Sequence, residues 1–361
     1  MLKRLLNECK LTLQIKTEGP LLVKSGSATP HGPDMTPVLT YKDGKEQVFI
    51  PGSSLKGVFR SHIEKIIRTL NEQVVCLPYE KINCEIKNNQ PIIPNYNQVS
   101  CGEKFELRKK KDQGEKTLDC KNSKLKLLNP DLTSDSSSNA VAYRDSCPAC
   151  RLFGSTYFIG RIAINDAYLT QPGRVETFTE PRDGVAIDRF SGGAVSVKGR
   201  GSLFNLLVVS AGVSFQTEIY LRNFEIWQLG ALMLMIQDLE DGLVFIGSGR
   251  SRGLGKVKGE IVGSLNIQYI SPAIHRKENN EIWGLGKFLA NDTSYGTEAN
   301  DLLSLEQLPA EEDIGIRKIQ RFEKEILIEL KAKAASQFVN KIQKWPYSMK
   351  SDRLQFEVIR G

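Results

Sequence analysis

Cys147-Pro-Ala-Cys150 has the spacing at which a knuckle of backbone presents two thiolates to a tetrahedral metal ion. Four more cysteines, Cys76, Cys84, Cys101 and Cys120, precede it in a stretch with little apolar pattern, where a metal staple contributes most to folding. A structural Zn2+ site of four thiolates is expected, and spacing does not fix which two of the four complete it. A redox Cys-x-x-Cys is the alternative, but no thioredoxin-like βαβ pattern surrounds it. A second chemical stretch is Val244–Lys258, in which Gly247, Gly249, Gly253 and Gly255 alternate with Arg250, Arg252, Lys256 and Lys258, and Ser251 separates the arginines. Glycine lets bare amides approach a ligand closely, and Arg can hold two phosphate oxygens at once. The order helix, strand end, glycines, strand excludes a dinucleotide fingerprint and a Walker loop, both of which need a helix after the glycines. A polyanion is the ligand that fits. Third, the loop 24–38 holds three prolines and two glycines, and within it only His31 and Asp34 could do acid–base or metal chemistry near neutral pH. Composition alone gives Asp34 the commoner task of capping the turn after Pro33.

These groups need elements to position them. Leu11–Ile15 alternates as a half-buried strand does. Leu55, Val58, Phe59, Ile63, Ile66, Ile67 and Leu70 recur at three- and four-residue steps, which predicts a helix with Ser53 or Ser54 as N-cap. Free amides at that end attract an anion, and Lys56 and Arg60 share a face beside it. Cations in a first turn oppose the helix dipole, a cost that an anionic ligand offsets. Residues 73–150 read as a zinc-binding insertion of loops. Gly160–Leu169 is strand-like, and Phe178–Gly193 is a loop or protruding hairpin with Arg182, Arg189 and Phe190 near its tip. Phe204–Val209 with Val213–Leu221 forms one strand or a hairpin. Phe224–Leu239 is an apolar helix capped by Asn223, and Val257–Val262 is the next strand. Strand, helix, strand, strand, helix, strand is the ferredoxin-like (RRM-like) βαββαβ plan, an α+β palm over residues 1–264. Residues 265–361 form a more polar, mostly helical extension, with helical period over Ile314–Gln343 and a closing strand at Leu354–Ile359.

Bulk composition narrows the class. Lys and Arg number 49 against 42 Asp and Glu, a surplus whose clustering matters more than its size. A second basic run, Arg108–Lys111, reads as a solvated loop. No apolar run reaches the length of a membrane span, and the first residues lack a signal-peptide core. Seven cysteines, an odd count, argue against a disulfide framework. The expectation is a cytoplasmic protein with no membrane partner.

Four motifs together resemble the RAMP superfamily of CRISPR-associated proteins, and more narrowly the backbone subunit of type III (Csm/Cmr-like) effector complexes, the "Cas seven" family. They are Ile50-Pro-Gly-Ser-Ser-Leu-Lys-Gly-Val-Phe-Arg60, Cys150-Arg-Leu-Phe-Gly-Ser155, Glu180-Pro-Arg-Asp-Gly-Val-Ala-Ile-Asp-Arg189 and Gly247–Gly255. The resemblance implies a subunit that lines up with neighbouring RAMP subunits and other type III subunits along a guide crRNA. Its palm and Gly-rich loop would hold the guide through Ser53, Ser54, Lys56, Arg60, Gly247, Gly249, Arg250, Ser251, Arg252 and Lys256. Its thumb, residues 174–202 with Arg182 and Arg189, would wedge into the guide–target duplex. It also implies that Asp34, before Pro37-Val38, carries cleavage of the target RNA with Mg2+ or Mn2+, a hard cation held by a carboxylate. Members without that activity serve as scaffolds, and other RAMP proteins process guide precursors, a role for which this chain has only His31, His62 and His275 as bases. Related zinc sites imply Cys76 and Cys84 with Cys147 and Cys150, leaving Cys101 and Cys120 unassigned.

Overall fold

The computed structural model describes residues 3–26, 32–87, 90–93, 96, 98–108, 117–120, 123–128, 136–197, 200–201, 203–270, 280–289, 292–345 and 355–359. His31 and His275 lie outside them. The elements that matter here are β1 (Asn7–Thr17), β2 (Leu39–Lys42), β3 (Lys45–Ile50), α1 (Gly52–Leu70), α2 (Cys101–Arg108), β4 (Thr117–Cys120), β5 (Ser123–Leu127) and α3 (Ser136–Arg144). They continue with α4 (Pro148–Phe153), β6 (Ile162–Ile164), β7 (Ala167–Leu169), β8 (Thr179–Val185), β9 (Leu203–Val209), β10 (Ser214–Arg222) and α5 (Ile226–Glu240). The last are β11 (Val257–Tyr269), β12 (Glu311–Ile314), β13 (Arg317–Phe322), α6 (Lys324–Gln343) and β14 (Phe356–Ile359). This is a mixed α+β chain built on antiparallel pairing.

The main sheet has nine strands in the order β2-β3-β7-β10-β1-β11-β13-β12, with β6 also paired to β10. β1 lies at its centre, antiparallel to β10 on one side and to β11 on the other. Its pleat explains its place: Cys9, Leu11, Leu13 and Ile15 are buried on one face while Lys10, Thr12, Gln14 and Lys16 alternate on the other. α1 and α5 bury their apolar residues against the first face. α1 turns in Leu55, Phe59, Ile63 and Ile67, and α5 is apolar all round because α6 covers its far side. Gly230 on α5 lets α6 come close, since a Cβ there would lie 2.0 Å from the Ala334 carbonyl oxygen.

Several expectations change in detail. Phe204–Val209 does not pair with Val213–Leu221; β9 pairs with β8 as the return leg of a hairpin that stands off the main sheet. That hairpin's stem is therefore 179–185 with 203–209, so the hairpin begins and ends later than the expected 174–202. The helix predicted from Ile314 starts at Lys324, because Gly315 at φ 61° turns the chain into the β12–β13 hairpin. The expected boundary at 264 falls inside β11, and β13 pairs with that strand's end, so residues beyond 265 extend the main sheet. β14 pairs with β5. Asn223 does not cap α5 through its side chain; Glu225 does, in a capping box with Gln228, while Asn223 Oδ1 accepts the Leu6 N–H at 2.8 Å. Arg108 is buried and pairs with Asp145 at 3.0 Å instead of lying in solvent, and residues 109–111 lie outside the described ones. Among the described residues no helix is long and apolar enough to cross a membrane.

The tail also ties down α5. Asp301 Oδ1 accepts the Ile226 N–H and Oδ2 the Gly286 N–H, each at 2.9 Å. Burial, with Glu225 nearby, pushes the Asp301 carboxyl up to about 7. A carboxyl raised above its unfolded value stabilises the fold when protonated, and that contribution is lost as pH rises through 7. Lowering pH from 8 to 5 is therefore expected to raise the melting temperature of the wild type relative to Asp301→Asn by a few degrees, as followed by calorimetry.

Candidate metal centre and nucleic-acid interface

The Gly-rich loop is a closed unit. Gly247, Gly249, Gly253 and Gly255 all have positive φ, at 80°, 76°, 80° and 86°, and they bracket a single 3-10 turn at Arg250–Arg252. Gly247 and Gly255 are required twice over: a Cβ would lie 2.4 Å from the Leu22 carbonyl oxygen at the first and 2.2 Å from that of Ile246 at the second. The loop is pinned to the segment after β1 by Gly255 N–H to Pro20 O and Ser248 N–H to Leu22 O, each at 2.8 Å. This rigid ring holds Arg250, Ser251 and Arg252 out into solvent. Among the described residues neither arginine has an acidic partner; Arg250 Nε donates to the Gly247 carbonyl at 3.2 Å, and Arg252 stacks 5.6 Å from the Phe204 ring centroid. Lys256 does have one: it shares the Glu18 carboxylate with Lys258, at 3.1 and 3.5 Å. Such an exposed pair is weak enough for a phosphate to displace.

Opposite the loop runs α1. Ser54, Val58 and Ser61, one helical face, line a cleft of about 390 Å³ with Lys24, Gly247 and Arg250. It continues past Arg250 into one of about 360 Å³ lined by Lys65, Ser251 and His62, whose Nε2 lies 2.6 Å from Asp238 Oδ2. Ser53 and Lys56 face the other way, into a third cleft of about 410 Å³ that also contains Arg161 and Arg222. The residues expected to act together at the start of α1 thus serve two clefts. Pro51 is the N-cap, not a serine, and Asp166 Oδ1 takes the Gly52 N–H at 2.7 Å, which leaves the Ser53 and Ser54 amides without an acceptor among the described residues. Burial, then the charge of Arg60, depresses the Lys56 ammonium, and an anion in the cleft would restore it. Lys24, Ser61, Lys65, Arg161 and Arg222 were not singled out from sequence. The i+7 and i+11 spacing from Ser54 was the available sign for Ser61 and Lys65.

Asp34 is exposed beside the stem of the β8–β9 hairpin, and its Oδ2 accepts the Asn205 N–H at 2.9 Å. Met35 bridges Leu206 in the same stretch, and with Phe204 it packs on Leu22, Leu206, Val208 and Leu254. This small core is separate from the main one. It joins the Asp34 loop, the hairpin and the Gly-rich loop into one body. The hairpin's cations are less concentrated than expected: Arg182 sits in the stem, paired with Glu180 at 2.7 Å, whereas Arg189 and a fully exposed Phe190 occupy the tip. There Asp188 Oδ1 accepts the Phe190 and Ser191 N–H groups, each at 2.8 Å.

Four thiols meet on the far side of α1. Cys76, Cys101, Cys147 and Cys150 are all buried, with their sulfurs within 4.8 Å of one another, including 3.6 Å from Cys147 to Cys76 and 3.7 Å from Cys76 to Cys150. A tetrahedron with metal–sulfur bonds of about 2.3 Å has edges of about 3.8 Å, so the set fits zinc. Backbone N–H groups of Cys147 and Cys150 donate to Cys101 Sγ and Cys147 Sγ at 3.4 Å. Hydrogen bonds from Cys101, Cys150 and Cys76 hold the Cys147 thiol well below its ordinary range. Cys84 does not belong to the set. It forms a disulfide with Cys120, a single bridge in a chain whose odd cysteine count argued against a disulfide framework. Cys101 is the first residue of α2 and its Sγ accepts the N–H of Cys147 in the knuckle, whereas Cys120 ends β4. Arg60 also departs from expectation, its Nη2 donating to Cys150 Sγ at 3.3 Å.

Residues 14–258 match the family model of the RAMP superfamily. A search of curated proteins finds no match.

Proposed function

The chain belongs to the RAMP superfamily, and from that premise we propose that it is the guide-RNA-binding backbone subunit of a type III CRISPR effector complex. RAMP proteins are CRISPR-associated, and they typically bind RNA and other subunits of their complexes. In this reading β11, β1, β10 and the pair β6 and β7 are the four-stranded sheet of a ferredoxin-like palm, with α1 and α5 as its crossovers. The observation that carries the proposal is the Gly-rich ring, which holds Arg250 at the cleft along α1 and Arg252 out in solvent, neither with an acidic partner among the described residues. A flexible phosphate chain fits such a cleft, whose glycines expose amides and whose arginines grip two oxygens each. The β8–β9 hairpin is the thumb, with Phe190 placed to stack on bases. Asp34 beside its stem is the proposed metal-binding catalytic residue for target cleavage with Mg2+ or Mn2+. Among the described residues it belongs to no group of three or more ligating side chains, so substrate phosphate and water would complete the ion's shell, as is usual for Mg2+. Zn2+ held by Cys76, Cys101, Cys147 and Cys150 is the proposed structural metal.

The test is RNA binding as a function of salt. Arg250→Ala and Arg252→Ala are each expected to weaken guide binding and to flatten the slope of log affinity against log salt by about 0.7, one phosphate on a single strand. Sequence preference should not change, because phosphate contacts position a strand without reading it. An unaltered slope, or a change in preference, would overturn this account of the loop.

A further inference from the structure

Arg60 lies one turn beyond Lys56 on α1, yet its guanidinium is fully engaged away from the clefts. Nε donates to Glu64 Oε1 at 2.8 Å, Nη1 to the Gly154 carbonyl at 3.1 Å and Nη2 to Cys150 Sγ at 3.3 Å. Glu64, itself buried, also meets Arg68 at 3.5 Å, and Arg68 donates to the Cys76 carbonyl at 3.2 Å. One chain of contacts therefore runs from α1 to two of the four cysteines.

We propose that Arg60 is a positioning residue of the four-cysteine metal centre and not an RNA contact. The inference rests on the zinc reading above. Four thiolates around one divalent ion leave two negative charges in a buried place, and such charge needs a nearby cation with matched hydrogen bonds. Arg60 supplies it at Cys150. Its bond to the Gly154 carbonyl fixes the turn that closes α4, the helix carrying Cys150, so Arg60 orients the ligand as well as balancing its charge. Partners of this kind change metal affinity by about 10–100-fold when removed.

The experiment uses the full-length chain. Zinc content is measured, followed by competition with a chromogenic chelator and, after exchange into Co2+, by the sulfur-to-cobalt absorption band. Arg60→Gln is expected to lower zinc affinity about 10–100-fold and to shift that band, with Arg60→Lys restoring much of the affinity. The salt slope of guide binding stays at the wild-type value in both variants, whereas Arg250→Ala lowers it by about 0.7. Wild-type zinc affinity in Arg60→Gln overturns the proposal, as does a fall in its salt slope matching that of Arg250→Ala. Should Arg60→Gln not fold, Arg60→Lys carries the test: affinity below wild type with an unchanged slope supports the assignment, and unchanged affinity sinks it. A wild-type chain purified without zinc removes the metal reading itself, and Arg60's role with it.

Discussion

In the assembled complex, Asp34→Ala is expected to abolish metal-dependent cleavage of an RNA complementary to the guide and to leave guide affinity within about twofold of wild type. A carboxylate that places a divalent ion at the reacting phosphate contributes several kcal/mol of transition-state stabilisation. That corresponds to about two to three orders of magnitude in rate. Guide binding should survive because Asp34 makes one hydrogen bond, to the Asn205 N–H, while the small core beneath it is held by Leu22, Leu206, Val208 and Leu254. Asp34→Asn is the sharper control, since it keeps an acceptor for that N–H and removes only the charge. Cleavage by wild type and by Asp34→Ala at equal rates would take the active site elsewhere. Absence of cleavage in wild type, with guide still bound, would make the subunit a scaffold.

The placement of Asp34 shows where sequence stops being informative. Its loop, the Gly-rich stretch and the start of α1 were legible because glycine, proline and apolar period speak through local backbone preference. The four positive φ values and the buried stripe of α1 follow from those preferences. Legibility failed wherever the answer was a pairing between distant segments. β9 has a strand's composition whether it pairs with β8 or β10. Arg60 has the same helical position whether it reaches solvent or turns toward Cys150. The β12–β13 hairpin was missed although its sign was local: Ile314-Gly315-Ile316 is a turn signal that a helical count over Ile314–Gln343 passed across. The small core joining Asp34 to the hairpin and the Gly-rich loop has members from residues 22 to 254, and only the folded chain brings them together.

The cysteines give the second large effect, because sequence resemblance and structure assign different ligands. Cys101→Ser is expected to lose zinc as completely as Cys147→Ser, whereas Cys84→Ser should retain one zinc per chain. Structural zinc sites in small domains contribute on the order of 10 kcal/mol to folding near neutral pH, so losing one of four thiolates removes much of the energy that orders the region. Around this site that energy would hold α2, α4 and the segment after α1 together, with buried side chains such as Phe105 and Phe153 but few long elements. The expected signs in Cys101→Ser are zinc absent by mass spectrometry, a melting temperature lower by ten degrees or more on the scale of about 2–4 °C per kcal/mol, and proteolytic cleavage between residues 73 and 146. Cys84→Ser removes a cross-link from Cys120 and should lower stability by a smaller amount, about 2–4 kcal/mol if the bond forms in the cell, with zinc unchanged. Acid acts on the two sites differently: thiolate ligands must stay deprotonated, so zinc is released as pH falls, while a disulfide is indifferent. Retention of zinc by Cys101→Ser together with its loss in Cys84→Ser would restore the ligand set that the resemblance implied.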